Sequence, residues 1–427
     1  MYFTADLHIH SHYAAATSKF LNLETLYQWA LIKGVHVIGT GDFTHPAWFS
    51  ELKEKLLPDG NGFFILKDPP KSLPHEIKDR GEQVRFCLST EINCETFEYG
   101  KFRRVHNLVY APDFETAAKI SRKLSTICDL TEDGRPTVQL SSKDLLEITL
   151  ESSPHAYFVP AHIWTPWFSL LGSAYGYDSV EQCFGALTSY IFALETSLSA
   201  DPVMCNKLSG LDRFTLMSNS DAHSMANIGR EINRFDTAMD YYSMFEAVRC
   251  KKGFLGTYEF IPSLGKYYYD GHRNCKVSLS PEKSNEINHI CPACGKSITI
   301  GTLGRCGTLA DRQEQPDRQE QRAIQAFEYT MPLSEILSGI HGVSKTSKKI
   351  DHEFSRIISS LGNEFEVLHQ IAVEDIRKRD HILALAVSRL RSRQFQVVPG
   401  YDGHYGKIVF FDDKELERLR QPQISLF

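Results

Sequence analysis

At 427 residues the chain exceeds the usual size of one hydrophobic core, so two or three domains are expected. Its 42% hydrophobic and 23% charged residues describe an ordinary soluble globular protein, and no apolar run approaches the ~20 residues that span a bilayer. A net charge of −6 is poor evidence for nucleic-acid binding, but metal would neutralise several carboxylates and positive charge is concentrated late in the chain.

No basic-then-apolar signal peptide opens the sequence, which predicts a cytoplasmic, nucleoid-associated protein. In that compartment the ten cysteines argue for thiols rather than disulfides, with metal the use of any tight cluster. Alternating Phe3, Ala5, Leu7 and Ile9 predict a first strand, with Asp6, His8, His10 and His12 sharing one face. Clustered imidazoles lower one another's pKa and solvate poorly, and a divalent cation resolves that conflict. Asn22 is placed to cap a helix whose apolar face is Leu23, Leu26, Tyr27, Ala30 and Leu31, ended by Gly34. Val35–Gly39 follows as a buried strand, completing a parallel βαβ unit. Leu56–Arg80, rich in proline and glycine, reads as a surface excursion. Phe86–Thr90, Val105–Tyr110, Tyr157–Ala161, Tyr190–Leu194 and Phe214–Met217 read as strands, and Phe114–Cys128 and Tyr241–Lys251 as helices. This alternation has the size of an α/β barrel.

Polar residues follow these strands in a consistent place. His8, His10, Asp42, His45, Glu91, His162, Asp221 and His223 lie at strand ends, and His106 lies within a strand. In a barrel such positions converge on one face. One metal takes about four protein ligands, so nine candidates imply two or three ions sharing bridging carboxylates. The mixed set suits Zn²⁺, Mn²⁺ or Fe²⁺ better than Mg²⁺. Glu91 is the candidate bridge, and His8, His10 and Asp221 would complete one ion.

Asp6-Leu7-His8-Ile9-His10, Gly41-Asp42-Phe43-Thr44-His45, Thr90-Glu91, Pro160-Ala161-His162 and Asn219-Ser220-Asp221-Ala222-His223 resemble the ordered motifs of the PHP (polymerase and histidinol phosphatase) superfamily. The resemblance implies a distorted (β/α)7 barrel over residues 1–262 and a trinuclear metal centre hydrolysing phosphoesters, so two or three ions of Zn²⁺, Mn²⁺ or Mg²⁺ are expected. Glu91, Asp221 and His223 would be its catalytic residues. Which of Asp42 and His45 ligates, or whether both do, stays open. With His162–Phe168, a cysteine-rich insert and Pro399-Gly400-Tyr401-Asp402-Gly403, the likeness narrows to the DNA-repair endonucleases of that superfamily. These cut 5′ of deaminated bases (uracil, hypoxanthine, xanthine) and abasic sites, leaving 3′-hydroxyl and 5′-phosphate ends. A small-molecule phosphatase, a proofreading-like exonuclease and a non-catalytic DNA-binding scaffold are the alternatives.

Trp164, Trp167, Phe168, Ser173 and Tyr175 form an aromatic, hydroxyl-bearing stretch that either stacks on an extruded base or packs the mouth of the site. His272-x-x-Cys275 and Cys291-x-x-Cys294, fifteen residues apart, predict one structural zinc in a module over 263–310. Cys306 competes with His272 as fourth ligand. A mainly helical domain over 323–420 carries six basic residues against Asp380 in Arg377–Arg393. Lys348, Arg391, Arg393 and Tyr401 are its candidate DNA contacts. Gln423-Ile424-Ser425-Leu426-Phe427, within a tail over 421–427, matches the pentapeptide that docks bacterial proteins on the replication sliding clamp. Gln423 would hydrogen-bond while Leu426 and Phe427 fill an apolar pocket.

Overall fold

The first strand, Tyr2–Asp6, is buried from Phe3 onward and ends earlier than its apolar alternation predicts. The computed structural model describes residues 1–77, 83–312 and 324–421. Tyr2–Asp6 runs parallel to Val37–Gly39 and antiparallel to Ile232–Asp236. Val37–Gly39 is parallel to Arg85–Glu98, which turns back through Tyr99 and Gly100 into the antiparallel strand Lys101–Ala111. Tyr157–Pro160 extends that edge. On the other side Phe254–Phe260 pairs with Ile232–Asp236, and Phe327–Thr330 runs parallel to it.

Ala193–Glu195 and Thr215–Met217 form a separate parallel pair. They pack beside Tyr157–Pro160 and Phe254–Phe260 without laddering to either. Among the described residues the fold is therefore mixed α/β with an open ladder, and no closed (β/α)7 barrel is found. The main departure has a local cause. Tyr99 and Gly100, with φ of 52° and 72°, make a tight reverse turn, so two long strands meet directly without a crossover helix.

Local chemistry explains the helices. The Asn22 side chain accepts the Thr25 N–H at 2.9 Å and starts Leu23–Lys33. Gly34 ends it at φ 76°, where a Cβ would lie 2.5 Å from Asn363 Oδ1. Helix Ser142–Ser152 opens on a capping box between Ser141 and Asp144. The predicted surface excursion is partly structural. Leu56–Pro58 and Phe64–Leu66 pair within it, Phe64 meets Phe86 of the main sheet, and Phe63 and Phe64 are buried.

A second apolar core gathers Leu333–His341, Lys348–Leu361, Val373–Arg377 and His381–Arg391 around Leu337, Ile357, Leu383 and Val387. Lys33 Nζ reaches Glu364 across to this core at 2.5 Å, with both side chains almost fully buried. Removing one partner of such a pair strands a buried charge, at a cost of about 3–5 kcal/mol.

Candidate metal centre

Beyond Asp6 the chain leaves the ladder, and Ile9 then bridges to Ala222. That pairing presents His8 and His10 to one side and draws Asp221 across to them. His8, His10, Glu91 and Asp221 each offer a ligand atom, all within 4.8 Å of one another. His10 Nε2 lies 3.3 Å from Glu91 Oε2 and 3.2 Å from Asp221 Oδ1, and His8 Nε2 lies 3.6 and 3.5 Å from the same two oxygens. A second group follows along the sheet. Glu91 Oε1 is 2.7 Å from His106 Nδ1 and 2.9 Å from His162 Nε2. Glu91 thus turns one oxygen to each group, the geometry of a bridging carboxylate.

The residues fit metal ions. His8 Nε2, His10 Nε2 and Asp221 Oδ1 are buried with no hydrogen-bond partner, an expensive arrangement unless a cation engages them. Burial alone would raise both carboxyls. The imidazoles of His106 and His8 outweigh it at Glu91, and those of His8, His10 and His223 at Asp221, holding both well below the usual carboxylate range. Burial pushes His106 down to about 4 against the pull of Glu91, leaving a neutral ring suited to ligation. Asp42, His162 and Asp221 take left-handed φ values of 50°, 28° and 47°, strain of the sort retained at functional sites.

Supporting residues orient these rings. His8 Nδ1–H donates to Glu195 at 3.0 Å, and Glu195 also accepts the His162 N–H at 2.9 Å and Asn219 Nδ2–H at 2.8 Å. His10 Nδ1 is 3.0 Å from Asp42 Oδ1, while Asp42 Oδ2 accepts the N–H and O–H of Ser11 at 2.6 and 2.7 Å. These contacts fix each ring's tautomer with Nε2 facing the centre. Arg135 Nη1 lies 3.4 Å from Glu91 Oε2 on the solvent side. Asp133 holds its loop by accepting the N–H groups of Ala15 and Arg135, both at 3.0 Å.

Several sequence expectations change. Asp42 stands behind His10 rather than among the grouped ligand atoms. His45 caps helix Pro46–Lys55 through the Trp48 N–H and reaches the Thr131 carbonyl at 3.2 Å, so it too stands outside them. Asp6 accepts the N–H groups of Ser220 (3.0 Å) and Gly229 (2.9 Å), and His12 faces the Leu21 carbonyl at 3.1 Å. His223 sits at the mouth, its ring 4.6 Å from His10 and its Nδ1 at 2.9 Å from the Asp221 carbonyl, beside the first group without joining it. Glu195 and Arg135 carry no motif in the sequence. The one available hint was the position of Glu195 at the end of a short apolar run, the same placement that singled out Glu91.

His272, Cys275, Cys291 and Cys294 form the third group. Burial would raise the Cys291 thiol, yet hydrogen bonds from the Ala293 backbone and from His272 bring it down to about 6. Cys306 is fully buried with its Sγ on the Met204 carbonyl at 3.2 Å, which leaves His272 as the fourth member. Trp164 is fully buried with Nε1–H directed at Cys205 Sγ (3.3 Å), so it packs the core and cannot reach a base. Trp167, Phe168 and Tyr175 are partly exposed. Ser173 ties their loop to the Ile300 carbonyl at 2.8 Å. Arg391 donates to the carbonyls of Leu368 (2.8 Å) and Val367 (3.2 Å), an internal role in place of a phosphate contact. Arg393 is exposed but lies over Phe327 and Tyr329, Lys348 is exposed, and Tyr401 bridges to Tyr269. Gln423, Leu426 and Phe427 lie outside the described residues. Among those residues no helix is long and apolar enough to cross a membrane.

The fold and the shared carboxylate define a mixed α/β protein with a metallohydrolase type of centre. Over its whole length the chain is similar in structure to endonuclease Q. It superposes on the lesion-specific endonuclease PfuEndoQ of Pyrococcus furiosus with a TM-score of 0.81 and 29% identity, covering 96% of this chain and 95% of that one. An endonuclease Q complex with a 27-mer duplex bearing an abasic lesion at its active site gives 0.83 and 29%, covering 98% of each. Residues 332–394 match the family described as the MJ0043 C-terminal domain. The MJ0043 protein of Methanocaldococcus jannaschii is 30% identical over 262 residues, 59% of this chain; the chain spans only about a third of that relative's length (32%). The YqxK protein of Bacillus subtilis is 27% identical over 95% of this chain and 98% of its own. The repair-endonuclease resemblance carried by His162–Phe168, the cysteine insert and Pro399–Gly403 agrees with these matches.

Proposed function

We propose that this protein is a metal-dependent DNA-repair endonuclease that hydrolyses a phosphodiester at abasic sites. The finer reading adds cleavage 5′ of uracil, hypoxanthine and xanthine. The observation that carries it is Glu91, whose two oxygens face two groups of imidazole and carboxylate in a chain superposing throughout on a lesion-bound endonuclease. Two or three divalent ions, Zn²⁺, Mn²⁺ or Mg²⁺, would be held by His8, His10, Glu91, Asp221, His106 and His162, with His223 at the edge. When bound, such ions supply Lewis acidity toward phosphoryl oxygen and acidify water for attack.

The chain's own groups complete the chemistry. Glu195 and Asp42 hold the Nδ1–H tautomer of His8 and His10 and aim their Nε2 atoms inward, where a bound cation would take the place of the Nε2 proton. Arg135, charged and rigidly mounted, meets a non-bridging phosphate oxygen where negative charge builds during attack. His223, partly exposed and hydrogen-bonded by the Asp221 carbonyl, is placed to move a proton to the leaving oxygen.

The distorted PHP barrel is retained as the reading of residues 1–262, supported by strand ends converging on one centre and by unladdered strands lying side by side at both seams. The 263–310 module would hold one structural zinc through His272, Cys275, Cys291 and Cys294. The 323–420 segment would contact DNA through Lys348 and Arg393, and the 421–427 tail would dock on the sliding clamp. A cytoplasmic, nucleoid-associated location goes with this function. The test is incubation of purified protein with end-labelled duplexes bearing an abasic site, uracil, hypoxanthine or no lesion, across Mg²⁺, Mn²⁺ and Zn²⁺. One incision 5′ of the lesion supports the reading, and release of mononucleotides from ends refutes it.

A further inference from the structure

One face of the Arg85–Glu98/Lys101–Ala111 hairpin runs outward from the metal ligands. Alternate side chains share a face, so Glu91, Asn93, Glu95 and Phe97 lie with His106, Arg104 and Phe102, paired as Asn93–His106, Glu95–Arg104 and Phe97–Phe102. Flat groups follow one another along this strip. The Phe168 ring lies 4.8 Å from His106, and the Arg104 guanidinium lies over Phe168 (4.9 Å), Phe102 (5.3 Å) and Tyr175 (5.3 Å). Tyr175 meets Trp167 at 5.9 Å. At the tip Phe97 is 72% and Tyr99 69% exposed, beside the tight turn at Tyr99 and Gly100.

Large rings held open to solvent beside a reaction centre contribute little to packing. The ion pair from Glu95 to Arg104 Nε, at 2.7 Å, offsets the guanidinium's charge, so the strip offers planes rather than a phosphate clamp. Planes of this kind accept nucleobases, each of which has a π-face whatever its identity. Glu91 and Phe97 are roughly 20 Å apart along the strand, but Asn93 and His106 are buried, so the open planes begin at Arg104 and end at Phe97.

We propose that this hairpin face is a stacking surface for unpaired bases of the DNA beside the scissile bond, with Phe97 and Tyr99 receiving them at the tip. The proposal rests on the endonuclease reading and deepens it by naming the part of the substrate held outside the centre. It adds binding energy at nucleotides several positions from the lesion and is blind to which lesion is present.

The test uses full-length Phe97→Ala/Tyr99→Ala, Phe97→Leu and Phe97→Trp proteins. The probe is an abasic duplex with 2-aminopurine at positions out to about six nucleotides on each side of the lesion, the reach of the tip from Glu91, bound in chelator so that it stays uncut. Losing one stacked base should weaken binding by roughly 5- to 150-fold and lower the 2-aminopurine response. Metal content and melting temperature should stay at wild-type values. Phe97→Leu, apolar but unable to stack, should follow the double variant, while Phe97→Trp should bind at least as well as wild type. Variants that bind within twofold of wild type with the same fluorescence would overturn the proposal. Wild-type protein that neither binds nor cuts the duplex would overturn the endonuclease reading together with this one. Wild-type cutting alongside unaffected variants would overturn the hairpin proposal alone.

Discussion

Replacing Glu195 by glutamine probes whether the ring-orienting contacts matter, because the change keeps size and shape and removes only charge and one acceptor. Glu195 takes three hydrogen bonds in a fully buried site, from His8 Nδ1 (3.0 Å), the His162 N–H (2.9 Å) and Asn219 Nδ2 (2.8 Å). Glutamine offers one acceptor oxygen, and its NH2 group would face at least one of these donors as a second donor. His8 then loses either its tautomeric preference or its orientation, and its Nε2 becomes a poorer ligand. Partners of this kind are typically worth about 10- to 100-fold in metal affinity or activity, or roughly 1.4–2.7 kcal/mol. The assay is single-turnover cleavage of an abasic duplex across a metal titration, with bound metal measured in parallel. The metal concentration for half-maximal cleavage should rise by that factor, while DNA binding in chelator stays unchanged. A variant needing no more metal than wild type and cutting at the same rate would refute the orienting role.

Four other outcomes follow from the same geometry. Arg135→Ala should retain its full metal content but lose about 100- to 1,000-fold in kcat, the usual effect of removing one charge-stabilising group; an unchanged kcat would remove Arg135 from the chemistry. Cys291→Ser should lose one zinc per chain by elemental analysis, whereas Cys306→Ser should keep it; zinc loss in the second variant would reverse the assignment of His272. Trp164→Ala should lower stability by about 3–5 kcal/mol in denaturant titration and reduce cleavage of abasic and uracil duplexes equally; a loss confined to uracil would restore base reading to Trp164. Burial, helped by Asp201, raises Glu259 from its ordinary value of 4.5 to about 8 against the hydroxyls of Thr257, Ser218 and Thr196. Because the folded state holds this proton more tightly, its contribution falls as pH rises from about 4.5 to about 8. Glu231 is also buried and raised, with Glu259 among the causes, so calorimetric melting of Glu259→Gln should show that decline lessened, and a parallel pH profile for the two proteins would count against it.

The chemistry of the centre was more legible in the sequence than its architecture. Period-two alternation places His8 and His10 on one side of an extended segment wherever the strand ends, and the Asn22 cap and both cysteine knuckles are local signals that tertiary context did not override. Spacing could not separate the residues whose ligand-type atoms are grouped from the residues behind them. Asp42 carries the same chemistry as Asp221, and only the Ser11 hydrogen bonds show it facing His10 from the rear. His45 precedes Pro46, a helix-start signal that favours capping over ligation and was present in the sequence. Trp164 differs from Trp167 by burial alone, which no local pattern encodes. Strand closure depends on contacts between segments far apart in sequence, so the open ladder and the long hairpin were out of reach.

The proposed cutting of DNA at a lesion depends on ions gathered around Glu91. Its most direct test is incision of a labelled abasic duplex by purified protein, before and after the ions are stripped and restored, with metal counted per chain at each stage. The account requires a single cut beside the abasic site that vanishes on stripping and returns on restoration, with at least two ions per chain beyond the zinc of the cysteine module. Cutting that persists without those ions, or protein that carries one zinc alone and leaves the duplex intact, would contradict it.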